Sequence, residues 1–403
     1  MRRVVETDDH PCVQQSLGAW VWCLEVFVPF PIVRHQLPDV KSFPTCNPRM
    51  PVRQYKFQPI SHWAIRFAVV HYGAQLAISR NFICMNTTST SSSSTGLPFA
   101  DRLTQAVRAC RAPVVVGLDP RVAQLPACLT KDGVTDDPRH AAQAIRNFCC
   151  GVVDVVASLV PAVKPQAAFF EQLGPAGMQA LADVIAYARD RGVLTILDAK
   201  RGDIGSTAEA YADAYLGPHT SLWGADALTI NPYLGSDSIL PFATTAEQRG
   251  AGLFVLVKTS NPGGGEFQDL VCDGLPVYEH VGRMVERMNE SSAALSSCGY
   301  GVLGAVVGAT YPEQLVTMRG AMPRTWLLVP GFGSQGGRAR DVAGAMDANG
   351  LGAIVNSSRD IIFAYRRSEY RDRFGEAKWQ SAVEAATRDM IDSLRADTTA
   401  GRL

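Results

Sequence analysis

Between residues 113 and 356, short apolar runs alternate with stretches of helical periodicity. Eight runs have the length and composition of buried strands: Pro113–Leu118, Leu159–Lys164, Val193–Lys200, Ala225–Asn231, Gly252–Thr259, Gly301–Gly308, Trp326–Pro330 and Gly352–Asn356. An apolar run without polar alternation is covered on both faces, as strands of parallel sheets are. Among the intervening helical patterns are Ala141–Ala157, Gly177–Arg191, Ser206–Leu216, Val277–Cys298, Pro312–Arg319 and Gly337–Asn349. Eight such strand–helix units predict an α/β fold and favour a closed (β/α)8, or TIM, barrel. An open doubly wound sheet is the structural alternative; it would normally open with a G-x-G-x-x-G turn after its first strand, and none stands there. Phe99–Cys110 is expected to be an extra N-terminal helix closing the barrel floor, and Glu369–Leu394 to form one or two C-terminal helices outside it.

The first 84 residues lack this regularity. Their longest apolar run, Leu17 to Val33, is interrupted by Glu25, Pro29 and Pro31, which makes a poor membrane span; Phe67 to Ser79 is too short for one. Arg2-Arg3 followed by Glu6, Asp8 and Asp9 makes a poor signal peptide. A Ser/Thr-rich linker follows, over residues 85–97. We expect residues 1–84 to be no functional domain and Met85 to be the true start; the alternative is a poorly ordered or targeting extension. The barrel domain is expected over 98–403.

Composition narrows the classes. Lys and Arg number 38 and Asp and Glu 38, so the net charge is zero, which gives no support for nucleic-acid or anionic-membrane binding. The ten cysteines include no Cys-x-x-Cys pair, so neither a zinc site nor a disulfide framework is suggested, and a reducing cytoplasm is the expected setting.

In a barrel of this kind chemistry sits where strands end, and the polar residues fall there. The strand-end segments are Gly117-Leu-Asp119-Pro-Arg121, Lys164-Pro-Gln166, Asp198-Ala-Lys200, Asn231-Pro-Tyr233, Lys258-Thr-Ser260-Asn261, Pro330-Gly-Phe-Gly-Ser-Gln335-Gly-Gly337 and Asn356-Ser-Ser358-Arg359. The third is the most informative. Residues two apart in a strand share a face, so Asp198 and Lys200 point the same way, about 7 Å apart along the strand. Asp203 adds a second carboxylate nearby. Two readings are open on spacing alone: a strand-end salt bridge, or a reacting centre. The last two clusters suggest a phosphate ligand, because glycines free backbone amides and Arg359 offers a planar cationic fork after the eighth strand.

The segment Leu197-Asp-Ala-Lys-Arg-Gly-Asp-Ile-Gly-Ser-Thr207 resembles the signature of the orotidine 5'-phosphate decarboxylase family. So do Gly117–Pro120, Lys164-Pro165, Lys258–Gly263, Val329–Gly337 and Ser358-Arg359; Asp119-Pro-Arg121, Asn231-Pro-Tyr233 and Lys258-Thr-Ser-Asn261 are similar to its longer bacterial subgroup, type 2. The resemblance covers about residues 97–395 and implies decarboxylation of orotidine 5'-phosphate to UMP. It implies no metal, no organic cofactor, and a homodimer with shared sites. Catalytic roles are implied for Lys200 as the acid that protonates C6, for Asp198 against the departing carboxylate, and for Lys164 and Asp203 in the charge network. Asp119 and Lys164 would hold the ribose, and Ser260 the pyrimidine edge. Asp203, Ile204 and Thr207 would reach the partner's site, and Gln335 and Arg359 would grip the phosphate. Asn261, Pro330 and Ser358 complete the implied substrate-binding set.

Two rivals stand beside this reading. A related barrel acting on a sugar phosphate would need Mg²⁺ and a metal-binding acid after strand two, near which Glu171 stands. A non-catalytic phosphate-binding barrel would be expected to lack Asp198 or Lys200, and both are present.

Overall fold

The computed structural model describes residues 96–130, 137–333 and 337–403. The expected extension, most of the linker and Gln335 therefore lie outside the described residues. The chain opens with α1 (Phe99–Cys110), then alternates β1 (Val114–Leu118), α2 (Pro138–Val156), β2 (Ala162–Pro165), α3 (Ala168–Glu171), α4 (Gly174–Asp190), β3 (Leu194–Arg201), α5 (Gly205–Tyr215), β4 (Ala227–Ile230), α6 (Ser236–Arg249) and β5 (Gly252–Lys258). A short insertion follows: α7 (Gly265–Gln268) and a hairpin of β6 (Val271–Cys272) and β7 (Leu275–Pro276). The alternation resumes with α8 (Val277–Leu295), β8 (Leu303–Val307), α9 (Pro312–Ala321), β9 (Leu327–Val329), α10 (Ala339–Val342), β10 (Ala353–Ser357) and α11 (Arg359–Ile362). Two helices, α12 (Ser368–Phe374) and α13 (Trp379–Asp397), end the fold.

Eight parallel strands close into a barrel in the order β1-β10-β9-β8-β5-β4-β3-β2. This is the expected (β/α)8 barrel, with all eight anticipated strands in it. Alternate residues of each strand face outward and inward. The outward set packs under the helices; the inward set is Val115, Ala162, Ile196, Ala227, Phe254, Val306, Leu328 and Ile354. Phe99, Leu103 and Val107 of α1 join the inward cluster, so the first helix plugs the barrel floor with its apolar stripe.

Polar ties hold the plug in place. Arg102 of α1 pairs with Asp226 at the start of β4 and donates to Gly250 O at 2.9 Å. Asp226, 3 % exposed, also accepts from Thr195 N at 2.9 Å and Thr195 Oγ1 at 3.1 Å. Asp101 accepts from the amides of Ser297 and Cys298 at 3.0 and 2.8 Å, fixing α1 to the loop before β8. Removing one member of a buried pair leaves the other uncompensated; with Arg102 partly exposed, Asp226→Ala is expected to cost about 2–3 kcal/mol. Thermal melting checks this: Tm should fall by about 5 °C, with turnover per folded molecule unchanged because the site lies at the opposite end of the barrel.

Some elements differ from the sequence pattern. Helix α6 carries Pro241 inside it, yet Ile239, Phe242, Ala243 and Ala246 keep helical spacing and are buried. The helix expected over Gly337–Asn349 is only α10 followed by a 3-10 turn, Ala343–Ala345, whose central Gly344 disfavours continued α-helix. The β6–β7 hairpin turns on Asp273 and Gly274, with φ of +48° and +79°, as a two-residue primed turn requires. No helix among the described residues is long and apolar enough to cross a membrane.

Candidate active site

The site is the next layer of the barrel interior. Two residues beyond the inward apolar set, toward the strand ends, the same alternation gives Gly117, Lys164, Asp198, Thr229, Leu256, Gly308, Pro330 and Asn356. Four of these eight, Lys164, Asp198, Thr229 and Asn356, are polar, where the layer below is wholly apolar. Lys164, Asp198, Thr229 and Pro330 line a cavity of about 210 Å³ floored by Leu256, Val306 and Leu328. Glycines at 117 and 308 leave room for crossing side chains: a Cβ at Gly117 would lie 1.9 Å from Ser358 Oγ, and one at Gly308 2.9 Å from Ser260 Cβ.

Asp198 is the hub. Its Oδ2 receives Lys164 Nζ at 2.6 Å and Gln166 Nε2 at 3.0 Å. Its Oδ1 receives Lys200 Nζ at 2.6 Å and Thr229 Oγ1 at 3.0 Å. Four donors, two of them cationic, make a strong charge-assisted set. Burial pushes the Asp198 carboxyl up, but Lys164 and Lys200 outweigh it and hold it well below the usual carboxylate range. Burial presses the Lys164 ammonium down, while Asp198 and Asp119 outweigh that and place it above the ordinary lysine value. The carboxylate is thus ionised and fixed between two ammonium groups.

Lys200 reaches this hub by a route that strand periodicity does not describe. Its φ is +48°, in the left-handed region, and the β3–β4 ladder shifts register between Leu197 and Arg201. Such a conformation costs a non-glycine residue about 1–2 kcal/mol and persists where its surroundings over-determine it. Its amide donates to Thr229 Oγ1 at 2.9 Å. The expectation that Asp198 and Lys200 share a face holds for the side-chain ends, through this kink.

The other expected residues fall into three groups. Ser260 and Asn261, on the loop after β5, and Pro330, after β9, line the same cavity as the Lys-Asp-Lys array. Asp119 lines an adjoining hollow of about 490 Å³ with Gln166, Phe169 and Lys200, so the ammonium of Lys200 borders both spaces. Asp119 Oδ1 and Asn356 Oδ1 are buried without a hydrogen-bond partner among the described residues. Ser358 lies over Gly117, its Oγ accepting from Asn356 Nδ2 at 3.3 Å.

Arg359 opens α11, directly beyond β10. The loop after β9 approaches the same place. Gly331 and Gly333 have φ of +99° and +79°, and Gly333 comes so near Asp360 that a Cβ there would meet its Oδ2 at 2.2 Å. Gln335 is outside the described residues.

Asp203, Ile204 and Thr207 line neither hollow. Asp203 Oδ1 accepts from the Ile204 amide at 2.8 Å, Ile204 is 58 % exposed, and Thr207 is exposed on the first turn of α5. The anticipated array is therefore Lys164–Asp198–Lys200 within one chain, with Asp203 apart from it.

Sequence reasoning gave no role to Gln166, Thr229 or Lys258. The signal for Thr229 was available: it stands two residues beyond Ala227, on the inward parity of β4. Lys258 belonged to a noted motif, but it does not line the cavity. It is buried at 2 % exposure, paired with Asp269 at 2.6 Å and flanked by the Tyr278 and Tyr311 rings at 5.4 and 5.5 Å, where it anchors the loop carrying Ser260 and Asn261. Glu171, the residue considered as a metal-binding acid, pairs with Arg201, and no group of three or more His, Cys, Asp or Glu among the described residues is arranged to hold a metal ion.

Comparison with known proteins gives the family. Residues 112–372 match the model of the orotidine 5'-phosphate decarboxylase / HUMPS family. An orotidine 5'-phosphate decarboxylase of Rhodopirellula baltica is 56 % identical over 303 residues, which are 74 % of this chain and 99 % of that one. A Deinococcus radiodurans protein of the same name is 42 % identical over 266 residues, covering 66 % of this chain and 89 % of its own. The structure of Leishmania donovani OMP decarboxylase superposes with a TM-score of 0.58 at 31 % identity, covering 75 % of this chain and 99 % of that one. The barrel, its polar interior layer and these matches place the chain in the orotidine 5'-phosphate decarboxylase / HUMPS family.

Proposed function

We propose that this chain decarboxylates orotidine 5'-phosphate to UMP and CO₂, the last step of pyrimidine nucleotide synthesis, with its own side chains as the whole catalytic apparatus. The observation that carries the mechanism is the Asp198 carboxylate held at 2.6 Å by both Lys164 and Lys200 beside an open cavity. In this reading the bond from C6 of the pyrimidine to its carboxylate breaks, CO₂ leaves and the electron pair stays on C6. The ring offers that pair no enamine-type sink, so charge must be met locally, and the Lys200 ammonium does so at fixed position. It then gives its proton to C6 and recovers one from solvent.

Asp198 lies against the departing carboxylate, where repulsion falls as CO₂ forms. Asp119, with an unpartnered buried oxygen, and Lys164 hold the ribose hydroxyls. Ser260 meets the pyrimidine edge, with Asn261 and Pro330 beside it. Gln335, Ser358 and Arg359 surround the phosphate, and the glycine turns at 331 and 333 let the backbone of the loop after β9 approach it closely. Binding energy from that remote phosphate can order the loops and exclude water. The active form in this reading is a cytoplasmic homodimer in which Asp203, Ile204 and Thr207 enter the partner's site; the exposure of Ile204 and Thr207, and the placement of Asp203 outside its own chain's array, support it.

The test is direct. Orotidine 5'-phosphate added to the purified protein in the presence of EDTA should show a fall in absorbance on the long-wavelength side of its pyrimidine band as UMP forms. Turnover abolished by EDTA and restored by Mg²⁺ would move the chain to a metal-dependent reaction; no turnover under either condition would defeat the decarboxylase reading.

A further inference from the structure

One hydroxyl joins the backbone of Lys200 to the counter-ion of its side chain. Thr229, on β4 and 1 % exposed, accepts from the Lys200 amide at 2.9 Å and donates to Asp198 Oδ1 at 3.0 Å. The same carboxylate oxygen receives Lys200 Nζ at 2.6 Å. The path Lys200 N, Thr229 Oγ1, Asp198 Oδ1, Lys200 Nζ therefore closes on itself, and both ends of one lysine are tied through one threonine.

Neither packing nor the sheet supplies this constraint. The Lys200 side chain is 47 % exposed, so neighbours do not enclose it. The ladder slips register at this point, and the amide that a regular strand would pair with a carbonyl is given to the hydroxyl instead. On the far side of the carboxylate, Lys164 and Gln166 hold Oδ2 independently. Loss of the Thr229 hydroxyl would leave that side intact, leave Oδ1 to Lys200 Nζ alone and release the kinked backbone.

We propose that Thr229 is a positioning residue for the proton-donating lysine, a role that rests on the decarboxylase reading above. It sets where the ammonium stands relative to C6, without touching the substrate's reacting atoms itself. Misplacement of a reacting group by about 1 Å can cost about 100-fold in rate. Thr229→Val keeps the shape and removes the hydroxyl. It is expected to lower kcat by about 10- to 100-fold, while KM and the affinity for UMP change by less than about 2-fold. Thr229→Ser, which restores the oxygen, should recover kcat to within about 3-fold of the parent.

The experiment measures kcat, KM and UMP affinity for both variants, with a thermal melt for each. Should Thr229→Val not fold, Thr229→Ala carries the same comparison. Unchanged kcat in the hydroxyl-less variant, a serine variant no better than valine, or kcat and UMP affinity falling together would each overturn the positioning role. Lys200→Ala assayed alongside separates the two ideas: if it keeps turnover, the underlying reading has failed; if it is inactive while Thr229→Val is normal, the Thr229 role alone has failed.

Discussion

Lys200→Ala is expected to lower decarboxylation by about 10⁴-fold or more while leaving the barrel folded. Two losses combine in the proposed mechanism: the fixed positive charge opposite the developing carbanion, and the general acid that finishes the reaction. Each is worth about 10²- to 10⁴-fold when removed alone. The fold should tolerate the change because Lys200 contributes little to packing; its side chain is 47 % exposed. Asp198 would keep Lys164, Gln166 and Thr229 as partners, so no buried charge is orphaned. The comparison is with Lys164, which lies 5 % exposed in the same array and whose removal would disturb both chemistry and stability. Absorbance assays and thermal melts on Lys200→Ala give the answer together. Turnover within about 10-fold of the parent would remove Lys200 from the reaction; an unfolded variant would show that its ion pair matters more to the fold than its exposure implies.

Much of this site was legible because a barrel strand obeys a two-residue period to its end. The rule that turns Ala162 and Ile196 inward turns Lys164 and Asp198 inward as well, and the uninterrupted apolar runs make the strands themselves visible. What escaped the pattern is what breaks the period or has long range. Lys200 reaches Asp198 through a positive φ, and no local rule places a kink there. The parity of β4 turns Thr229 inward, but its bonds to the Lys200 amide and to Asp198 exist only once β4 is laid beside β3. Lys258 reads as a strand-end cation, and its partner Asp269 lies in an insertion whose hairpin is only two residues long on each side. In α6, Pro241 carries a propensity penalty that the buried face of Phe242 and Ala246 overrides.

Asp203 leads to the second large effect. Mixed dimers of Lys200→Ala and Asp203→Ala subunits should recover activity that neither variant has alone. The physical case begins at the turn between β3 and α5. Asp203 lies outside the Lys164–Asp198–Lys200 array of its own chain, and its Oδ1 is bonded to the neighbouring Ile204 amide. Around it the surface is apolar: Ile204 is 58 % exposed, and the adjoining loop after β4, tied to this one by Asn231 N on Arg201 O at 2.8 Å, presents Tyr233 at 85 % and Leu234 at 48 %. Exposed apolar groups clustered beside a polar site suit a face that another copy covers. If Asp203 completes the partner's site, a hybrid dimer has one site lacking both groups and one site with both. Random pairing of equal amounts makes half the dimers hybrids, so activity should return to about a quarter of the parent level. If Asp203 instead acts within its own chain, every hybrid site lacks one group and mixing restores nothing. Subunit exchange followed by the absorbance assay, with each variant alone as control, separates these outcomes.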